Sequence, residues 1–246
     1  RGAAGTSDRA NTAASQLTPD MIDFDRIFGT LGTRWFHTGG IFSALSVSSA
    51  QTALAAVKAA KKHAAAVSFD MNYRPSLWKA LPDEDEEKRM LRELAANTDL
   101  LIAGPDDLTK RLGVSSPKTG MSDEQYFTAL FTAAVKKYPN LKVFACTRRK
   151  VITATKNDWS ALLFCNGKIY KSREFKELEI YDRVGGGDAF ASGLIYGLTE
   201  YRNLQKALDC GVAHGALTMT TPGDNSFASV GEVEALMSGG GAGVKR

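Results

Sequence analysis

A chain of 246 residues, 43% of them hydrophobic, is long enough for one substantial α/β core and does not require a second domain. The formal net charge of +4 arises from basic and acidic residues interspersed along the chain, as in EDEEKRMLRE. That mixture argues against a nucleic-acid-binding stripe and suits small anionic ligands. Apolar runs stop well short of the roughly 18 residues of a membrane span, and the opening RGAAGTSDRANTAAS lacks the apolar core of a secretory signal. Cys146, Cys165 and Cys210 are far apart, with no CxxC pair, and read as buried reduced thiols. The expectation is a cytoplasmic protein with no membrane and no nucleic-acid partner. It opens at Arg1 rather than at an initiator Met, which leaves an upstream segment open.

From Arg34 onward, short β-rich runs alternate with helical patterns, the mark of βαβ units and a mostly parallel sheet. Strands are expected at 34–39, 65–71, 98–103 and 141–147, with crossover helices at 46–63, 83–97 and 123–137, where apolar residues recur three or four apart. Pro82-Asp83 marks a helix start, with acids in the first turn where the macrodipole favours them. After Thr147, SALLFCNGKIYKSREFKELEIY reads as strands joined by a tight Asn166-Gly167 turn, so the sheet edge is expected to be antiparallel. Helices follow near 188–201 and 203–219, then a turn at Pro222-Gly223-Asp224 and a last helix near 230–237. No linker or repeat divides the chain, so residues 1–238 are expected to form a single α/β domain, with a glycine-rich flexible tail at 239–246.

The densest chemical signal is DRVGGGDAFASGLIYGL at 182–198, where a strand runs into three glycines, an aspartate and a helix. Glycines leave backbone N–H groups uncovered, and the helix N-terminus adds positive partial charge, so the place attracts phosphate oxygens. In phosphoryl transfer, preorganised N–H donors at Gly185, Gly186 and Gly187 would each be worth about 10² to 10³ in rate. Asp188 beside them would take the proton of an attacking hydroxyl, a role worth about 10² to 10⁴. The competing reading is a tight βα turn with Asp188 as the helix cap. Neither a Walker P-loop nor a dinucleotide GxGxxG is present.

DRVGGGDAFASG resembles the C-terminal signature of the ribokinase-like, or PfkB, carbohydrate kinases, in which D-T-x-G-A-G-D supplies anion hole and base. Asp182 matches the first acid, Gly185 and Gly187 the two glycines, and Asp188 the base. Arg183 replaces the usual Thr, and Gly186 the usual Ala. With NDWSALL at 157–163 and FDMNYRPSLW at 69–78, the chain is most similar to the 2-keto-3-deoxygluconate kinases. The resemblance implies a three-layer α/β/α fold with a mostly parallel sheet, and ATP and Mg²⁺ as cofactors.

Asp70, Asn72 and Arg74 fall at and beyond the end of an apolar strand, where α/β sheets hold ligands, and Arg74 suits bidentate pairing with a carboxylate. The resemblance assigns Asn72 and Arg74 to the sugar, with Ile41 of HTGGI lining its pocket and Arg9 of SDRANTAAS as a second substrate arginine. Ser7 stands where the family has a tyrosine. For ATP it points to Thr147, Arg149, Pro222, Gly223 and Asp224. The alternative for Arg148, Arg149 and Lys150 is a solvated basic turn. His214 reads as packed near the nucleotide rather than catalytic, and His37 and His63 carry no assignment. Where the family has N-x-x-E, this chain has Gly104-Pro105-Asp106-Asp107, and Asp107 would organise Mg²⁺ through water.

The resembled kinases carry further strands, a glycine-rich sugar segment and a small β lid ahead of the position of Arg1, and the chain reads as lacking them. The expectation is an ATP-dependent kinase for 2-keto-3-deoxygluconate or a related sugar acid, since two arginines suit an acid. The alternatives are a fructokinase or ribokinase-type activity and a truncated, non-catalytic nucleotide- or sugar-binding remnant. Homo-oligomer formation stays open, because the resembled kinases dimerise through the lid.

Overall fold

The structure, a computed structural model, describes residues 9, 11–78 and 83–239. Ser7, Pro82 and residues 240–246 of the expected tail lie outside them. The chain forms two compact units. One runs up to Ala145 and includes Phe164–Gly167; the other comprises Cys146–Leu163 and the chain from Lys168 onward.

The first unit contains β1 (Trp35–Gly39), α1 (Gly40–Ser43), α2 (Val47–Lys62), β2 (Ala66–Asp70), α3 (Glu84–Ala96), β3 (Leu100–Ile102), α4 (Asp123–Lys137) and the opening residues of β4 (Val143–Val151). The strands pair in parallel, with Trp35 beside Ala66, Ser68 beside Leu100 and Leu100 beside Val143. Each long helix starts on a side chain that satisfies an otherwise unpaired N–H: Ser46 and Ser49 form a capping box, Asp83 accepts from the Glu86 amide, and Ser122 pairs with Gln125. Alanine and valine three or four apart in α2 (Ala50, Ala53, Val57, Ala60) are buried, as the periodicity requires. Phe69, Leu94, Leu101, Phe131 and Phe144 form the interior, and the rings of Phe131 and Phe144 lie 5.4 Å apart.

β3 is shorter than expected because its first two residues serve as connectors. The Thr98 hydroxyl donates to the Leu94 carbonyl at 2.8 Å. The Asp99 carboxylate accepts from Lys61 Nζ at 2.7 and 2.8 Å and from the Val67 amide at 2.9 Å, with Lys142 3.2 Å away. Burial pushes this carboxyl up, but the lysines and the amide outweigh it and hold it below the usual range. A depressed folded value means stability that is present above the ordinary carboxylate range and lost as pH falls through it. Asp99→Asn is therefore expected to cost about 1–3 kcal/mol at pH 7. Urea titrations should show that difference shrinking below about pH 4.

The second unit contains the rest of β4, most of β5 (Lys156–Cys165), β6 (Lys168–Lys171), β7 (Phe175–Glu179), α5 (Gly186–Glu200), α6 (Leu204–Met219) and α7 (Val230–Met237). β5 and β6 are neighbours, and β7 runs antiparallel to β5, Asn157 facing Leu178 with a bulge before Trp159. Asn166 and Gly167 both take positive φ, +50° and +76°, as the two-residue hairpin turn demands. β4 continues to Val151, so Arg148, Arg149 and Lys150 lie on a strand rather than in a basic turn. The turn itself comes at 152–155, where Ile152 and Thr153 donate to the Lys156 carbonyl. Trp159 anchors the unit: its indole N–H reaches the Val212 carbonyl at 3.1 Å and its ring meets Phe190 edge to face. All three cysteines are buried, and none forms a disulfide among the described residues. The parallel strands of the first unit and the antiparallel β7 of the second give a mostly parallel, mixed α/β architecture flanked by helices.

Candidate active site

In the first unit, candidate ligands gather where parallel strands end. Gly39 of β1 stands beside Asp70 of β2, which brings the HTGGI exit against the DMNYR exit. Their approach is so close that a Cβ on Gly40 would lie 2.0 Å from the Met71 carbonyl oxygen. Ile41 is partly buried in α1. The Asp70 carboxylate accepts from the Asn72 amide at 3.1 Å, and Asn72 turns the chain with φ +32°. Arg74 is exposed; its guanidinium makes a long 3.4 Å contact with the Tyr73 carbonyl.

Asp107 sits past β3, in a helical turn spanning Asp107–Arg111, and accepts from the Gly104 amide at 2.8 Å. Burial pushes its carboxyl above the usual range, against the pull of the Gly104 N–H and of the Arg111 and Arg74 charges. Arg74 and Asp107, 33 positions apart in sequence, are thus within each other's field. Among the described residues, no group of three or more His, Cys, Asp or Glu is arranged to hold a metal ion. Arg9 is exposed, and its carbonyl accepts from the Thr12 hydroxyl at 3.0 Å. Its side chain neither hydrogen-bonds nor ion-pairs with the other candidates described.

In the second unit, Asp182 accepts the Val184 amide at 2.9 Å, and Arg183 donates to the Ala154 carbonyl. Gly185 then takes φ +83°, and a Cβ there would lie 2.4 Å from the Asp224 carbonyl oxygen. Only glycine fits on both counts. This contact brings the Pro222-Gly223-Asp224 bend, with Gly223 at φ +90°, against the glycine run. α5 begins at Gly186, with Gly185 in the capping position and no side chain capping the helix. Asp188 is the third helical residue rather than the cap, and its exposed carboxylate has no hydrogen-bond or ion-pair partner among the described residues. A Cβ on Gly187 would point into open space. A helix start with no side-chain cap, an exposed Gly187 and an unengaged carboxylate is therefore available to a ligand. Thr147 is partly buried in β4, and Arg149 is exposed farther along it.

His214 of α6 bonds Ser192 at 3.1 Å and Ser226 at 2.8 Å, and burial lowers its pKa, so it is a packed, neutral side chain. It borders a mostly apolar cavity of about 240 Å³, lined also by Ser192, Tyr196, Tyr201, Cys210 and Val233. Apart from His214, and Cys210 read only as a buried thiol, these lining residues carry no expectation from the sequence. Their signal was Ser192 and Tyr196 following Asp188 at intervals of four, which places all three on one helix face.

Residues 33–230 match the model of the pfkB family carbohydrate kinases. A 2-dehydro-3-deoxygalactonokinase of Haloferax volcanii is 26% identical over 239 residues, covering 97% of this chain and 67% of that protein. A 2-dehydro-3-deoxygluconokinase of Thermoproteus tenax is 29% identical over 231 residues, covering 93% and 62% respectively. The crystal structure of 2-dehydro-3-deoxygluconokinase from Thermotoga maritima superposes with a TM-score of 0.82 at 33% identity, over 92% of this chain and 66% of that one. The chain thus spans about two thirds of the length of these relatives.

Proposed function

Because the chain belongs to the pfkB family of carbohydrate kinases, we propose that it transfers the γ-phosphoryl group of ATP to the terminal hydroxyl of 2-keto-3-deoxygluconate or a closely related sugar acid. The observation that carries this reading is the unengaged Asp188 carboxylate on an uncapped glycine helix start. In the reaction the sugar oxygen forms a bond to the γ-phosphorus as the bond to the ADP oxygen breaks. Asp188 accepts the hydroxyl proton, and the amides of Gly185, Gly186 and Gly187 face the charge on the equatorial oxygens. The Pro222–Asp224 bend, with Thr147 and Arg149 of β4, would hold the nucleotide.

Mg²⁺, when bound, neutralises phosphate charge. Asp107 would organise it through water, since Mg²⁺ keeps most of its own hydration shell. Its raised carboxyl would gain from the cation.

Acid specificity is assigned to the exposed Arg74, two residues past Asn72, with Ile41 lining the sugar pocket and Arg9 as the second arginine. A neutral sugar would leave both without a counter-charge. ADP release measured across a panel of sugars tests the reading. A marked preference for the keto-deoxy acid is expected, whereas equal turnover of fructose or ribose would overturn the acid assignment, and ATP binding without turnover of any sugar would point to a non-catalytic remnant. Arg74→Ala is expected to raise KM for the acid tenfold to hundredfold, the value of about 1.5–3 kcal/mol for a hydrogen bond to a charged group. Arg74→Lys should recover only part of it, since an ammonium cannot grip a carboxylate bidentately.

A further inference from the structure

Tyr73 lies between the two sugar-side candidates, Asn72 and Arg74, yet its own side chain turns into the protein. Its hydroxyl donates to Glu87 Oε2 of α3 at 3.1 Å, its ring stacks with Trp78 at 6.3 Å and 15°, and the Arg111 guanidinium sits 4.1 Å from its ring centroid. Arg111 closes the set by donating to Glu87 Oε1 at 3.1 Å and to Glu84 at 3.3 Å. Glu87 is 6% exposed. One buried carboxylate thus binds a phenol with one oxygen and a guanidinium with the other, while the guanidinium covers the phenol ring. A desolvated cation–π contact and charge-assisted hydrogen bonds that share partners reinforce one another and fix geometry.

What this set joins is informative. Tyr73 belongs to the β2 exit that carries Asn72 and Arg74, and Arg111 is the last residue of the Asp107–Arg111 turn. Asn72 holds a left-handed backbone, which asparagine tolerates, and its N–H bonds the Asp70 carboxylate. We propose that Tyr73, Arg111 and Glu87 form a clamp that locks the β2 exit to the Asp107 turn, so that Tyr73 and Arg111 are positioning residues setting Arg74 and Asp107 relative to each other. Its consequence for the sugar rests on the kinase reading above; the mechanical coupling does not.

The test separates these. In amide hydrogen exchange on the whole chain, Arg111→Gln should speed exchange in 71–78, and Tyr73→Leu should speed it in 104–112, with α2 and α4 unchanged. Tyr73→Phe, which keeps the ring over the guanidinium, should restore most of the protection. Exchange rising only around the altered residue, or uniformly through the chain, would overturn the clamp. In kinetics, both disruptive variants should raise KM for the sugar acid about tenfold to hundredfold, with Tyr73→Phe close to wild type. A fall in melting temperature with sugar KM unmoved would reduce the set to ordinary packing. A wild-type chain that turns over no sugar would overturn the kinase reading, and the exchange data would still decide the clamp.

Discussion

Asp188→Ala is expected to lower turnover at least about a hundredfold while leaving the fold intact. The two effects separate because the carboxylate is exposed and engages no described neighbour. Its structural contribution is limited to the favourable position of an acid in the first helical turn, about 0.3–1 kcal/mol. Asp188→Asn should behave almost identically, since the amide keeps the shape but cannot take the proton. Steady-state ADP release together with a thermal melt decides the matter. A loss of only a fewfold would remove Asp188 as the base, and a large drop in melting temperature would make it a structural residue.

Gly40→Ala is expected to be the most damaging single-methyl change on the sugar side. The added carbon would lie 2.0 Å from the Met71 carbonyl oxygen and 3.0 Å from its carbon, and both are backbone atoms of a strand exit that cannot rotate away. Relief requires β1 and β2 to separate where Gly39 faces Asp70. Overpacking of this kind costs about 2–3 kcal/mol, or a melting temperature lower by about 5–10 °C for a chain of this size. Because the displaced segment leads directly to Asn72 and Arg74, KM for the sugar acid should rise as well, whereas KM for ATP should not. A variant with wild-type melting temperature would show that the two exits are looser than their contact implies.

Much of the local structure was legible because it depends on short-range chemistry. Alanine-rich periodicity over 46–63 gave α2 to within a residue, and Asn166-Gly167 gave the hairpin, since both residues must take positive φ. Boundaries moved where side chains from elsewhere intervened. Asp99 leaves the strand to receive Lys61, Val67 and Lys142, and β4 runs on through Arg148–Lys150 into its hairpin turn. His37 and His63 offered no partner by spacing, yet the ring of the first meets Ser68 at 2.8 Å and that of the second meets Asp25 at 2.7 Å, 31 and 38 positions away.

For the candidate site, the amino-acid sequence alone supplied the pattern: three glycines and an aspartate at the start of a helix, and an arginine two residues past Asn72. Glycine permissiveness and helix polarity act within a few residues, so they can be read from order alone. Tertiary structure decided the rest. It showed that Gly185 rather than Asp188 occupies the cap position, which leaves the carboxylate unengaged, and it brought the Pro222–Asp224 bend against Gly185. It also set Arg74 in the field of Asp107 and enclosed Tyr73 between Arg111, Glu87 and Trp78. Burial and contacts between distant segments depend on how the chain packs, and no local pattern encodes them.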